Sequence, residues 1–262
     1  MTLIKSISGI RGTIGGIPDE NLTPIDMVKF TAAFVRFVGR NGRRHPRIVV
    51  GRDARTSGFM VNQVVCGTLQ AMGADVLDIG PSTTPTTELA VTNELACGGI
   101  ILTASHNPKQ YNGMKFVRKE SRPISSDTGL KDIEKAVMEG DFKPLDRPLG
   151  KIEQVDVLDE YVKHILTYVD VKALKPFKIV VNTGNGAAGP IINALEKHLP
   201  FEMVKVFNEP DGNFPNGVPN PILPENREAT AKVVRESGAA VGIAWDGDFD
   251  RCFLFDEKGG FI

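Results

Sequence analysis

Gly98-Gly99-Ile100-Ile101-Leu102 runs without a break into Thr103-Ala104-Ser105-His106-Asn107-Pro108, and the change of character between the two halves decides how the fold is read. The first half is small and apolar at every position, which predicts a short strand buried on both faces. Pro108 has no N–H and turns Asn107 away from helical angles, so the polar half is a fixed loop rather than the start of a helix. Asn112-Gly113 signals a tight turn. Beyond it Met114, Lys115 and Phe116 alternate, which sends Lys115 away from its apolar neighbours. A serine at the tip of a buried strand, with a histidine beside it and a lysine returning nearby, is a candidate site.

Working outward, the 262 residues suffice for one large or two medium domains with real cores. Lys+Arg 31 against Asp+Glu 32 leaves a net charge of −1. Such a balance provides no field that would recruit nucleic acid or an anionic membrane, and no basic run is interleaved with aromatics. Cys66, Cys97 and Cys252 are odd in number and widely spaced, a pattern that fits neither a disulfide framework nor a zinc site. Met1–Lys5 lacks the apolar run of a signal peptide, and no stretch reaches the ~18 apolar residues of a spanning helix. The expectation is a soluble cytoplasmic protein.

In chain order, Leu3–Ile10 alternates weakly into Gly9-Ile10-Arg11-Gly12, a strand and turn carrying one cation. Arg11 is either a surface charge or a group held close to a phosphate by its flanking glycines. Thr23-Pro24 opens a helix to Gly39 with Val28, Ala32, Val35 and Val38 on one stripe. Ile48–Gly51 is a buried strand. Arg52, Asp53, Arg55, Thr56, Ser57 and Gly58 follow it and precede a helix to Met72; there, open α/β sheets collect anions, unless the loop is an Arg/Asp bridge. Val76–Ile79 is a strand, Thr83–Thr87 a capping loop and Glu88–Glu94 a short helix. This βαβαβ rhythm predicts a mainly parallel sheet.

Asp127–Glu139 reads as a helix, and Pro144, Pro148 and Gly150 mark 143–152 as a linker. A second α/β unit follows: helix 155–169, strand 178–182, helix 188–198, strand 202–207, a Pro/Gly/Asn-rich loop 208–224, helix 225–237 and strand 239–245. The expected fold class is thus α/β, two successive three-layer domains with mainly parallel mixed sheets, covering residues 1–148 and 149–262.

Two further stretches carry chemistry. Gly184, Gly186 and Gly189 match G-x-G-x-x-G between a strand and a helix, with Glu209 downstream, so an anion- or nucleotide-binding module on this turn stands beside a purely structural turn. Asp246-Gly247-Asp248-Phe249-Asp250-Arg251 places three carboxylates at alternate positions after an apolar strand, and a divalent cation taking hard oxygen ligands, Mg²⁺, is the natural way to hold them together. Arg251 stands where an EF-hand loop needs glycine, which excludes that motif. Asp246 could also be the nucleophile of a phosphatase. Ser105 lacks a G-x-S-x-G elbow, so acyl transfer is not indicated; near Mg²⁺ and arginines it suits a carrier of phosphate. His106 is a possible brace, and Lys115 an acid/base candidate or a fixed cation.

TASHNP at 103–108, DGDFDR at 246–251, SGIRG at 8–12, GRDARTSG at 51–58, NGMKF at 112–116 and PDGNFPNGVPNPILPEN at 210–226 together resemble the α-D-phosphohexomutases. That family includes phosphomannomutase/phosphoglucomutase and phosphoglucosamine mutase. The resemblance implies a phosphoserine at Ser105 that exchanges its phosphoryl group with a hexose phosphate through a hexose 1,6-bisphosphate. It implies Mg²⁺ held by Asp246, Asp248 and Asp250 with Ser105, Arg11 and Lys115 near the transferring group with Lys115 as proton shuttle, and His106 and Arg251 in support. It makes the 184–189 turn structural. Members have four domains, of which this chain matches the first two, so the expectation is a fragment lacking domains III and IV and with little or no mutase activity.

Overall fold

The computed structural model describes residues 1–6, 9–39, 46–140 and 142–262. Ser8, the first residue of the Ser8–Gly12 motif, lies outside them. Contacts divide the chain into two units: Met1–Ala104 with Gln110–Asp156, and Ser105–Lys109 with Val157–Ile262. The serine loop therefore belongs to the second unit, although the strand that delivers it belongs to the first.

In the first unit the elements are β1 (Ile4–Ser6), β2 (Gly9–Thr13), α1 (Pro24–Gly39), β3 (Arg47–Arg52), α2 (Gly58–Ala71), β4 (Asp75–Pro81), α3 (Thr84–Asn93), β5 (Gly98–Leu102), β6 (Tyr111–Arg118), β7 (Arg122–Pro123), α4 (Lys131–Glu139) and β8 (Ile152–Gln154). Among the described residues the sheet runs β1-β2-β6-β5-β3-β4-β8, with β7 beside β6. Its β5-β3-β4-β8 portion is parallel and the β1-β2-β6-β5 flank antiparallel. Successive side chains alternate faces: Ile48 and Val50 of β3 join the core beneath α1, α2 and α4, whereas the position of Gly99 faces Val91 of α3 across the sheet. Three layers result, because every residue of β5 is buried and each sheet face needs a cover.

Helix α1 begins as expected. Thr23 N donates to Asp26 Oδ2 at 2.9 Å and Asp26 N donates back to Thr23 Oγ1 at 3.4 Å, a reciprocal cap tightened by a 2.5 Å bond from Thr23 Oγ1 to Asp26 Oδ2. Its buried stripe differs in one member: Val28 is exposed, and Met27, Phe30 and Phe34 fill the core with Ala32, Val35 and Val38. Helix α3 starts earlier than its sequence suggests, because Thr83 accepts from Thr86 N and Pro85 needs no N–H partner in a first turn.

Asn112-Gly113 is not a turn. Both residues lie inside β6, where Gly113 pairs with Arg11. A Cβ at Gly113 would come within 2.6 Å of the carbonyl oxygens of Ile10 and Thr103, so glycine here answers to close backbone approach. The expected 143–152 linker is also tied down. Leu145 N donates to Met72 O, Gly150 N to Gln70 O and Val76 N to Lys151 O, and β8 pairs in parallel with β4. The first unit thus continues past the expected 148/149 division to Asp156.

The second unit contains α5 (Leu158–Leu166), β9 (Lys178–Asn182), α6 (Gly189–Glu196), β10 (Glu202–Val206), α7 (Glu228–Ser237), β11 (Val241–Trp245) and β12 (Cys252–Phe255). Its sheet order is β10-β9-β11-β12, parallel except for the last pair. Val180 and Val206 pack with Val234 of α7 on one face, and Ile179 and Val181 with Ile192 of α6 on the other. After β12 the chain turns at Asp256–Gly259 so that Phe261 bridges Phe255. Among the described residues no helix is long and apolar enough to cross a membrane.

Candidate functional site

Strand β11 ends at Trp245, and the next residues turn back sharply into β12. Phe249 adopts φ 68°, Phe249 N donates to Asp246 O at 3.2 Å and Arg251 N to Asp246 Oδ1 at 3.2 Å. A hairpin this tight points alternate carboxylates to one side: one oxygen each of Asp246, Asp248 and Asp250 lie within 4.8 Å of one another. Asp246 and Asp248 are fully buried.

Ser105 meets this cluster inside the second unit. It sits at φ 51°, a backbone conformation that costs a non-glycine residue free energy and recurs where function requires it. Its Oγ donates to Asp246 Oδ2 at 2.7 Å and accepts from Arg251 Nη2 at 2.6 Å. Arg251 Nε also donates to Asp246 Oδ2 at 2.9 Å, and its guanidinium lies 3.5 Å from Asp250. His106 Nδ1 lies 3.3 Å from Ser105 Oγ and 2.5 Å from Arg251 Nη2. A Cβ at Gly247 would stand 2.7 Å from the Ser105 carbonyl oxygen, so only glycine lets the acidic loop approach the serine loop this closely.

Burial, and then the charge of Asp248, push the Asp246 carboxyl up to about 7; the Ser105 hydrogen bond opposes this, Asp250 adds to it and Arg251 counteracts it. Carboxylates this close and this buried are stabilised by a cation among them. Three carboxylates converging from one loop are the hard oxygen donors that Mg²⁺ takes. All are hard carboxylate donors, so the residues fit the group.

Arg11 and Lys115 are in the first unit. Arg11 of β2 pairs with Gly113 of β6, two residues from Lys115, and by strand alternation both occupy one face of the sheet. Lys115 Nζ is 3.4 Å from Thr84 Oγ1.

The Arg52–Gly58 loop is the Arg/Asp bridge rather than an open anion cradle. Arg55 is buried with its Nε donating to Asp53 Oδ2 at 3.1 Å; Thr103 Oγ1 donates to the same oxygen at 2.7 Å, and Arg55 Nη1 to Tyr111 O at 2.9 Å. This brace ties the ends of β3, β5 and β6, on either side of the serine loop in sequence. Thr103, its third member, went unassigned in the sequence, although a hydroxyl directly after a buried strand was the available signal.

The Gly184–Gly189 turn leaves no room for a dinucleotide. A Cβ at Gly184 would reach Pro219 at 2.5 Å and one at Gly186 the Gly247 carbonyl at 2.7 Å, while Gly189 abuts Asn208 O. The carbonyl of Glu209, expected as the acidic partner, accepts from Asn185 Nδ2 at 2.8 Å. The glycines serve the protein's own backbone, and the nucleotide-binding alternative falls with them.

With this geometry in place, the comparisons with known proteins are specific. The phosphoglucomutase/phosphomannomutase alpha/beta/alpha domain I model matches residues 4–144, and the corresponding domain II model matches 159–259. A phosphomannomutase of Salmonella montevideo is 52% identical over 221 residues, 82% of this chain and 48% of the relative. One from Escherichia coli is 49% identical over 260 residues, 97% of this chain and 55% of the relative. The crystal structure of a phosphoglucomutase/phosphomannomutase family protein from Burkholderia thailandensis matches with TM-score 0.87 at 32% identity, over 99% of this chain and 56% of that one. The chain belongs to the phosphoglucomutase/phosphomannomutase family and contains its domains I and II. It spans about half the length of the curated relatives it matches.

Proposed function

We propose that this chain supplies the phosphoserine and metal-binding domains of a phosphohexomutase of the phosphomannomutase/phosphoglucomutase type, which interconverts hexose 1- and 6-phosphates in the cytoplasm. The observation that carries the reading is the 2.7 Å hydrogen bond from Ser105 Oγ to Asp246, the first residue of a three-carboxylate cluster. Ser105 carries the phosphoryl group. Its P–Oγ bond breaks as a hydroxyl oxygen of the hexose phosphate bonds to phosphorus, giving the hexose 1,6-bisphosphate. After reorientation the other phosphoryl group returns to Oγ and the product leaves.

Asp246, Asp248 and Asp250 would hold Mg²⁺ beside Ser105, and a cation bound there would neutralise charge on the transferring group. Arg251, already donating to Ser105 Oγ, clamps a phosphoryl oxygen, and His106 orients that guanidinium. Lys115 takes and returns the proton of the attacking hydroxyl, and Arg11 supplies a fixed positive charge. The named relatives are phosphomannomutases, which favours a mannose or glucose phosphate over a glucosamine phosphate. This chain supplies domains I and II, divided near Asp156 apart from the serine loop that packs with the second unit, and domains III and IV of the whole enzyme complete the substrate site.

The test is the intact mass of the purified chain beside Ser105→Ala after exposure to glucose 1,6-bisphosphate. The expected result is one added phosphoryl group, absent from the alanine variant, together with negligible 1- to 6-phosphate turnover by either protein. Phosphorylation that survives the substitution refutes the carrier role, and brisk turnover refutes the need for further domains.

A further inference from the structure

Thr83, Thr84, Thr86 and Thr87, at the start of α3, are all buried. Three of them bond inside their own segment. Thr83 Oγ1 meets Thr86 Oγ1 at 2.7 Å and accepts from Thr86 N at 3.3 Å, while Thr87 Oγ1 donates to Thr83 O at 3.0 Å. These contacts fix the first turn of the helix. Thr84 reaches out of it: Lys115 Nζ of β6 donates to Thr84 Oγ1 at 3.4 Å, across 31 positions of sequence. Helix α3 covers the sheet face that Lys115 occupies, since Lys115 and Val117 alternate to one side and Val117 and Val91 of α3 both crowd the position of Gly99.

We infer that Thr84 is a positioning residue for Lys115, holding its Nζ in place while a proton moves on and off it. The inference rests on the reading of Lys115 as proton shuttle. A lysine head sits on a flexible four-carbon stem, and a group that takes a proton must stand within about 3.2 Å of it. A carboxylate partner would hold the head but would favour the ammonium and resist its deprotonation. A hydroxyl oxygen accepts an N–H from the ammonium and from the neutral amine alike. The contact therefore survives the transfer: the proton of the attacking hydroxyl passes to the Nζ lone pair, and passes back from Nζ to a leaving sugar oxygen, with another N–H on Thr84 Oγ1 throughout. Branching at Cβ restricts χ1 and so fixes where the hydroxyl points, in a residue only 4% exposed.

The experiment follows the phosphoryl group added to Ser105 of the full chain by glucose 1,6-bisphosphate, timed by intact mass over a range of donor concentrations. Thr84→Val keeps the shape and loses the hydroxyl. It should lower the maximal rate roughly tenfold, the effect of one lost hydrogen bond, with the half-saturating concentration unchanged. Thr84→Ser should recover most of the rate, and in a Lys115→Ala background Thr84→Val should cost nothing further. Parental speed in Thr84→Val, a serine variant as slow as the valine one, or an undiminished loss in the Lys115→Ala background overturns the inference. Parental speed in Lys115→Ala overturns the shuttle itself and the inference with it, which sets the two failures apart. Should Thr84→Val fail to fold, or the chain take up no phosphoryl group, the Lys115 Nζ protons of the parent decide. They should exchange with water several-fold more slowly than those of the exposed Lys131, and equal rates overturn the inference.

Discussion

Ser105 and Asp246 show how two residues 141 positions apart set each other's chemistry. The serine backbone is held in the left-handed region, and its hydroxyl and Arg251 are the donors that partly compensate an otherwise costly buried carboxylate. The compensation is incomplete, because burial and Asp248 still hold Asp246 near pKa 7 against about 3.9 in an unfolded chain. Between those values the folded protein keeps a proton that the unfolded chain has released. Without metal, therefore, stability is highest at the acid end of that window and falls as pH rises towards 7. Urea denaturation in EDTA at about pH 5 and pH 7.5 should show this fall in the parent chain and a flatter profile in Asp246→Asn, which cannot titrate. Equal slopes would mean that Asp246 ionises normally.

At the scale of elements, the strands and helices whose pattern is local were legible in the sequence. β5 is apolar throughout, α1 begins with Thr-Pro, and β9 follows a lysine into a β-branched run, so propensity and burial agree at each. The readings that shifted depend on what another segment does. Asn112-Gly113 has turn chemistry, yet its glycine is needed where β2 and the end of β5 crowd β6. The anion-like composition of Arg52–Gly58 is an internal brace because Asp53 lies within reach of both Arg55 and Thr103, a distance no spacing rule reveals. The brace predicts its own mutational signature. Asp53→Ala strands a buried guanidinium and should cost about 3–5 kcal/mol, whereas adding Arg55→Met should recover part of that loss, since a buried pair replaced by apolar side chains is often neutral. Urea midpoints of the two variants decide this; a single substitution costing under ~1 kcal/mol would show that Arg55 reaches solvent or another partner.

For the whole molecule, the candidate site was legible because its residues sit in two short, unusual loops, while the division of the chain was not, because proline and glycine mark linkers and tied-down edges alike. Residues 145–154 run along the outer edge of the first sheet. Gly150 packs directly on the Ala74 carbonyl, its N–H bonds Gln70 O at 3.0 Å, and Val155 N bonds Asp78 O at 3.1 Å beyond the short β8 ladder. This strand also covers β4, whose exposed edge would otherwise be open to pairing with another chain. Amide hydrogen exchange tests the assignment without dividing the protein. Gly150, Val76 and Val155 should exchange slowly, as ladder amides do, whereas a true linker would lose its label at the rate of an unfolded peptide. In Gly150→Ala the new methyl group has no space beside Ala74, so β8 should detach and the protection of all three amides should fall together, while Val180 and Val181 in the second sheet keep theirs. Fast exchange at Gly150 and Val155 in the parent chain would return the segment to the role of linker and restore the division at 148/149.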